Sequence, residues 1–108
     1  MRKVDVYYGN VLAGQLVELA KGSYEFTYDD AFLADSNTPP VSVNLSKSQK
    51  VYHSDRIFPV FTNMLPEGVN RRALCRMRKV DENDFFGMLE MICGMDAIGK
   101  FVLKKTVE

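Results

Sequence analysis

Phe58-Pro59-Val60-Phe61-Thr62-Asn63-Met64-Leu65-Pro66-Glu67-Gly68-Val69-Asn70-Arg71-Arg72, residues 58–72, divides the chain into two unlike halves. Before it the sequence reads as short strands and turns; after it the apolar residues fall at helical spacing. Pro66 has no backbone N–H to donate and pushes Leu65 out of the helical region. Proline at the first position of a helix, with Glu67 beside the positive end of the new dipole, is a start pattern. The stretch therefore predicts one short helix ending near Leu65 and another beginning at Pro66. The corner is apolar on one side (Phe58, Phe61, Met64, Leu65) and basic beyond it (Arg71, Arg72), and the apolar residues divide between core and surface. An apolar patch rimmed by charge is a frequent mark of a protein interface. The candidate partner-binding residues are Phe61, Asn63, Met64, Pro66, Glu67, Val69, Arg71 and Arg72.

Toward the N-terminus, Val4, Val6 and Tyr8 alternate with Asp5 and Tyr7, the period of a half-buried strand. Gly9-Asn10 supplies a tight turn. Val11 to Leu19 returns as a second strand, Ala20-Lys21-Gly22 turns again, and Ser23 to Tyr28 forms a third. Tyr24, Phe26 and Tyr28 share one face of it. Asp29 or Asp30 can cap a helical turn through Leu33. Residues 35–40 read as a loop. Val41, Val43 and Leu45 alternate as a fourth strand, and Val51-Tyr52-His53 adds a short one. Ser54 or Asp55 caps the helix that leads into the corner.

Beyond the corner, Val69, Ala73, Leu74 and Met77 recur at helical spacing in a helix from Pro66 to about Lys79. Asp81 and Asp84 resemble a capping box. They open a helix whose apolar stripe is Phe85, Met88, Leu89 and Ile92, with Gly94 as its C-cap. Ile98 to Leu103 is rich in β-formers and rejoins the sheet. The fold class expected is α+β: an antiparallel meander, partly closed, followed by a small helical layer, with the last strand returning to the sheet.

A chain of 108 residues, 46% hydrophobic, fits a single domain over 1–108. Lys plus Arg and Asp plus Glu both number 14, so the overall basic excess of a nucleic-acid binder is missing and direct nucleic-acid binding is disfavoured. Nothing approaches the run of roughly 18 apolar residues that spans a membrane, and Met1-Arg2-Lys3 leads straight into a strand without a signal peptide. A soluble cytoplasmic protein with no membrane partner is expected. Cys75 and Cys93 lie in helical patterns among apolar neighbours and read as buried free thiols; a disulfide would require an oxidising compartment.

No catalytic set emerges. One histidine, His53, excludes a multi-histidine metal site, and the cysteines lack CxxC spacing. The seven glycines are scattered and form no phosphate cradle. A kinase needs a Gly-rich loop, a lysine strand, a catalytic Asp and a metal-binding Asp, which this pattern does not hold. No cofactor is expected. The Tyr24, Phe26, Tyr28 stripe suits a base-stacking platform, but packing under the helices is the plainer reading. Arg71, Arg72, Arg76, Arg78 and Lys79 concentrate positive charge on one helix. A solvated face, an acidic protein partner and a nucleic-acid backbone are the alternatives.

Several segments in order resemble the HipA N-terminal domain family of toxin–antitoxin kinases. They are Val4-Asp5-Val6-Tyr7-Tyr8-Gly9-Asn10 with Gly14, Tyr24-Glu25-Phe26-Thr27-Tyr28, and Pro40-Val41-Ser42-Val43-Asn44-Leu45. Phe61-Thr62-Asn63-Met64-Leu65-Pro66-Glu67-Gly68, Asp84-Phe85-Phe86-Gly87-Met88-Leu89 and Gly94-Met95-Asp96-Ala97-Ile98-Gly99 complete the series. In full-length members this domain precedes a kinase core. The resemblance implies a stand-alone subdomain similar to the HipS antitoxins, which silence a separately encoded HipA-like Ser/Thr kinase, with a helix-turn-helix HipB-like protein as a third component. The alternatives are an accessory nucleic-acid-binding subunit, which rests on the Arg71 to Lys79 cluster, and a detached regulatory domain of such a kinase. Relatives often carry a large aromatic, commonly Trp, just after Leu-Pro-Glu-Gly; here Val69 occupies that place.

Overall fold

Strand-forming residues alternating with polar ones build the first half of the fold. In the computed structural model, which describes residues 2–65, 68–93 and 101–106, β1 (Arg2–Tyr8), β2 (Val11–Ala20) and β3 (Ser23–Tyr28) form the expected meander. The β1–β2 turn uses Gly9 at φ 61°, a conformation that costs glycine nothing. β4 (Val51–Ser54) adds to β3, and β5 (Phe101–Lys105) returns to β1. The antiparallel order is β4-β3-β2-β1-β5. With β4 and β5 as its two edges, the sheet is open rather than closed.

One face carries the core. Register places Val4, Leu16 and Phe26 in one row, and Val6, Gly14 and Tyr28 in the next. Val4, Val6, Leu16 and Phe26 are fully buried. Among the described residues four helices accompany the sheet: α1 (Asp30–Ala34), α2 (Pro59–Thr62), α3 (Gly68–Arg78) and α4 (Phe85–Met91). Phe61 of α2 meets Phe26 at 5.8 Å between ring centroids, and Phe86 of α4 stacks on Tyr24 at 6.4 Å. The aromatic stripe of β3 is thus the floor on which the helices sit, as its plainer reading held. α1 is capped by Asp29, whose carboxylate accepts from Ala31 N–H.

The segment 41–45 is not a strand. Val41 and Leu45 are buried, but Val43 is 93% exposed, and Ser42 and Leu45 form an isolated bridge that closes a turn. The buried Tyr28 hydroxyl organises this turn. It accepts from Val41 N–H at 2.9 Å and donates to the Leu45 carbonyl. Inward pinning at both ends, rather than pleating, produces the alternation in sequence.

Two of the expected helix starts, those of α2 and α4, also move. α2 begins at Pro59, with Phe58 as an N-cap lacking any side-chain bond. Ser54 is still in β4, so neither it nor Asp55 caps the helix. α3 opens on Gly68 at φ 59°. A helix running unbroken through position 68 is incompatible with that angle. Pro66 and Glu67, the expected start, lie outside the described residues. α4 is capped by Asp84, not Asp81: the Asp84 carboxylate accepts from Gly87 N–H at 3.1 Å, while Asp81 bonds Asn83 N–H in the preceding turn. At its other end the helix caps on Ile92; Gly94, its expected cap, and residues 98–100, the expected start of the last strand, lie outside the described residues.

Asp84 serves as the cap because a distant residue holds it. Arg2 in β1 donates to both Asp84 oxygens, at 2.8 and 2.9 Å, and to both Glu18 oxygens, at 2.7 and 2.8 Å. Its guanidinium also lies 5.3 Å from the Phe86 ring centroid. One planar fork therefore ties β1, β2 and α4 together. These hydrogen bonds from Arg2 outweigh partial desolvation and, with help from Gly87 N–H, hold the Asp84 carboxyl below the usual carboxylate range. Because the folded-state pKa is depressed, the stabilisation is complete above the unfolded value of about 4 and is lost as pH falls through the lower folded value. Urea unfolding from neutral to strongly acid pH should show this loss. In Asp84→Asn, which keeps an oxygen for the cap, the acid limb should flatten. An unchanged acid limb would place the sensitivity elsewhere.

Candidate partner-binding face

The corner turns inward. Phe58, Phe61 and Leu65 are buried, Phe61 completely, and Met64 is half-buried against the core. Of the expected contact residues, Phe61 is therefore a core residue that no partner reaches. Asn63 and Arg72 are exposed, Met64 and Arg71 are half-buried, and Pro66 and Glu67 lie outside the described residues.

The apolar surface appears one element later. Of the residues at helical spacing, Val69, an expected contact residue, is 76% exposed, Met77 is 75% exposed and Ala73 is exposed too, while Leu74 turns inward. α3 instead seats Cys75 in the core, with Leu74 and Arg71 half-buried beside it. Arg71 lies over the Phe85 ring at 5.8 Å. A helix turns about 100° per residue, so the inward arc through Arg71, Leu74 and Cys75 leaves Val69, Ala73 and Met77 on the opposite side. Exposed Arg72 and Arg76 line one edge of that apolar row.

The end of α3 is held firmly. Lys79 takes φ 58°, and Val80 N–H bonds the Cys75 carbonyl at 2.9 Å. This is the six-to-one bond of a Schellman ending, usually built on glycine. Arg78 and Lys79 project from that end, where cations favour the negative pole of the helix dipole.

α4 contributes a smaller exposed feature. Its expected stripe rotates: Met88, Leu89 and Phe86 are buried, whereas Phe85 is 40% exposed. Phe85 helps line a shallow cavity of about 360 Å³ with Tyr24, Asp55, Arg56, Ile57 and Thr62.

Chemistry-bearing side chains do not converge. Among the described residues no three His, Cys, Asp or Glu side chains form a metal-holding group. His53 lies in β4 with its side chain 65% exposed, 3.5 Å from the Glu25 carboxylate. Cys75 and Cys93 are both free; Cys75 is buried and Cys93 half-buried. The Cys93 thiol points at the Leu89 carbonyl at 3.3 Å, and burial pushes its pKa up to about 11. A thiol so far above neutrality is a poor nucleophile. No helix among the described residues is long and apolar enough to cross a membrane. α3 is anchored by Cys75 and presents an apolar row edged by arginine.

Comparison with known proteins gives one consistent result. The family model described as "HipA N-terminal domain" matches residues 4–104. A protein of Sinorhizobium fredii named "Putative kinase Y4mE" is 28% identical over 94 residues, which is 87% of this chain but 22% of that protein. A Haemophilus influenzae protein named only "Uncharacterized protein" is 32% identical over 82 residues, covering 76% of this chain and 72% of the relative. The chain thus spans about a fifth of the first relative's length and most of the second's. Among solved structures, one titled "N-terminal domain of HipA toxin" superposes with a TM-score of 0.71 at 23% identity, over 100% of this chain and 95% of the other.

Proposed function

The chain belongs to the HipA N-terminal domain family, and from that premise we propose that it is a non-catalytic binding module, an antitoxin that engages and inhibits a separately encoded HipA-like Ser/Thr kinase. The observation that carries this reading is the match over residues 4–104. Two others support it. A relative named as a kinase contains a segment like this chain within 22% of its length, which suits a module working beside a kinase core. The exposed groups of α3 suit binding rather than chemistry, since apolar area edged by cations supplies affinity and orientation but no acid, base or nucleophile.

The test is co-elution of the purified chain with the HipA-type kinase encoded alongside it. A stable complex at micromolar concentration is the expected result; separate elution would refute the proposal. A helix-turn-helix HipB-like protein would join as a third component through the kinase.

A second reading is favoured by the 22% coverage of the kinase-named relative. In it the chain is a regulatory segment covalently joined to its kinase core. The same face would then act within one polypeptide, and the mass of the product made from the native gene separates the two readings.

A further inference from the structure

Within the kinase-binding reading, on which this inference rests, we propose that α3 docks by its Val69–Ala73–Met77 row against a helix of the kinase whose own apolar row is flanked by carboxylates, with Arg72 and Arg76 as their counterparts. Val69, Ala73 and Met77 stand at i, i+4 and i+8. That spacing is a ridge that fits the groove of a facing helix. All three are exposed, while the core side of α3 is occupied by Cys75. The surface is therefore not the unfilled side of this domain's own core.

Charge identifies the occupant. α3, Gly-Val-Asn-Arg-Arg-Ala-Leu-Cys-Arg-Met-Arg, contains no carboxylate. Arg72 and Arg76 are four residues apart and both exposed, a like-charge pair that weakens an isolated helix. The helix dipole rewards Arg76 and Arg78 near the C-terminal end but not Arg72 in the first half. Arg72, Arg76 and Arg78 make no ion pair among the described residues. The pair costs the free domain stability and becomes favourable opposite Asp or Glu, where guanidinium binds in a planar, two-pronged manner. An apolar row edged by such charges selects a folded acidic helix over a nucleic-acid backbone, which offers phosphate to the arginines but nothing to Val69 and Met77.

The experiment measures affinity for the kinase in the wild type and three variants. These are Val69→Ser with Met77→Ser, Arg72→Glu with Arg76→Glu, and Val43→Ser as a control on an exposed apolar residue elsewhere. The apolar pair should weaken binding about 30-fold or more, the loss expected of an interface hot spot. The charge reversal should weaken it about tenfold or more and remove most of the salt dependence seen in the wild type. Val43→Ser should bind like the wild type, and all thermal transitions should stay together because every altered side chain is exposed. Binding by the wild type with no loss in either α3 pair would overturn this docking face and leave the kinase reading standing. No binding by the wild type would overturn both. Loss of DNA retention, rather than kinase affinity, in Arg72→Glu with Arg76→Glu would assign the face to nucleic acid and also overturn the proposal.

Discussion

Phe61→Ala is expected to lower the free energy of unfolding by about 3–5 kcal/mol, the cost of deleting a fully buried aromatic ring. Phe61 has no solvent exposure, packs at 5.8 Å on Phe26 and at 6.2 Å on Phe58, and sits in a helix of only four residues. So short a helix has little stability of its own and persists through tertiary packing. Removing its central anchor leaves a cavity between α2 and β3 that rigid strand backbone cannot fill. Against a total of about 5–15 kcal/mol for a small domain, the loss is severe. Urea unfolding at equilibrium would measure it. A loss below about 1 kcal/mol, ordinary for a surface site, would mean that α2 is not seated on the sheet, and the residue would return to the list of possible partner contacts.

Gly14→Ala should cost about 3 kcal/mol, at the upper end of overpacking penalties. A methyl group there would lie 2.4 Å from the Thr27 carbonyl oxygen and 2.8 Å from Phe26 Cζ. The first contact is with backbone in a paired strand, so no side-chain rotation relieves it. Gly14 pairs with Val6 on one side and Tyr28 on the other, so a shift would disturb three strands and the Tyr28 hydroxyl that pins the 41–45 turn. Thermal unfolding of the variant should fall well below the wild type, with a wild-type melting temperature contradicting the account.

Gly14 also shows how far the sequence could be read. Period-two alternation made β1 and β3 legible, because each buries one face under the helices, and the turns at either end marked β2 as the strand between them. The last strand was legible too, from its run of β-formers, although it pairs with a strand almost the whole chain away. Elements whose identity depends on remote partners were not. The alternation of Val41, Val43 and Leu45 copies a strand, but Tyr28 sets it from another part of the chain. Asp81 and Asp84 are both credible caps in sequence, and Arg2, 82 residues from Asp84, decides between them. Pro59 marked the true start of α2 by the same rule applied to Pro66.

The binding face was only half legible. Helical spacing found the Val69, Ala73, Met77 row, but spacing does not say which side faces the core. The arginines did not settle it either: Arg72 and Arg76 flank the row, but Arg71 and Arg78 fall on the arc with Leu74 and Cys75. Aromatic residues at the corner drew attention to Phe58 and Phe61 as a patch, although large rings beside a β-sheet are the natural filling of a small core. Val69, the position where relatives often have an aromatic, did prove exposed, and it lies in the row that α3 presents.

The most direct test of the central claim is a titration of the HipA-like kinase's phosphorylation activity with the purified chain. Activity should fall to background as the chain reaches one equivalent, with the kinase recovered in complex. Full activity at saturating chain would contradict the antitoxin account.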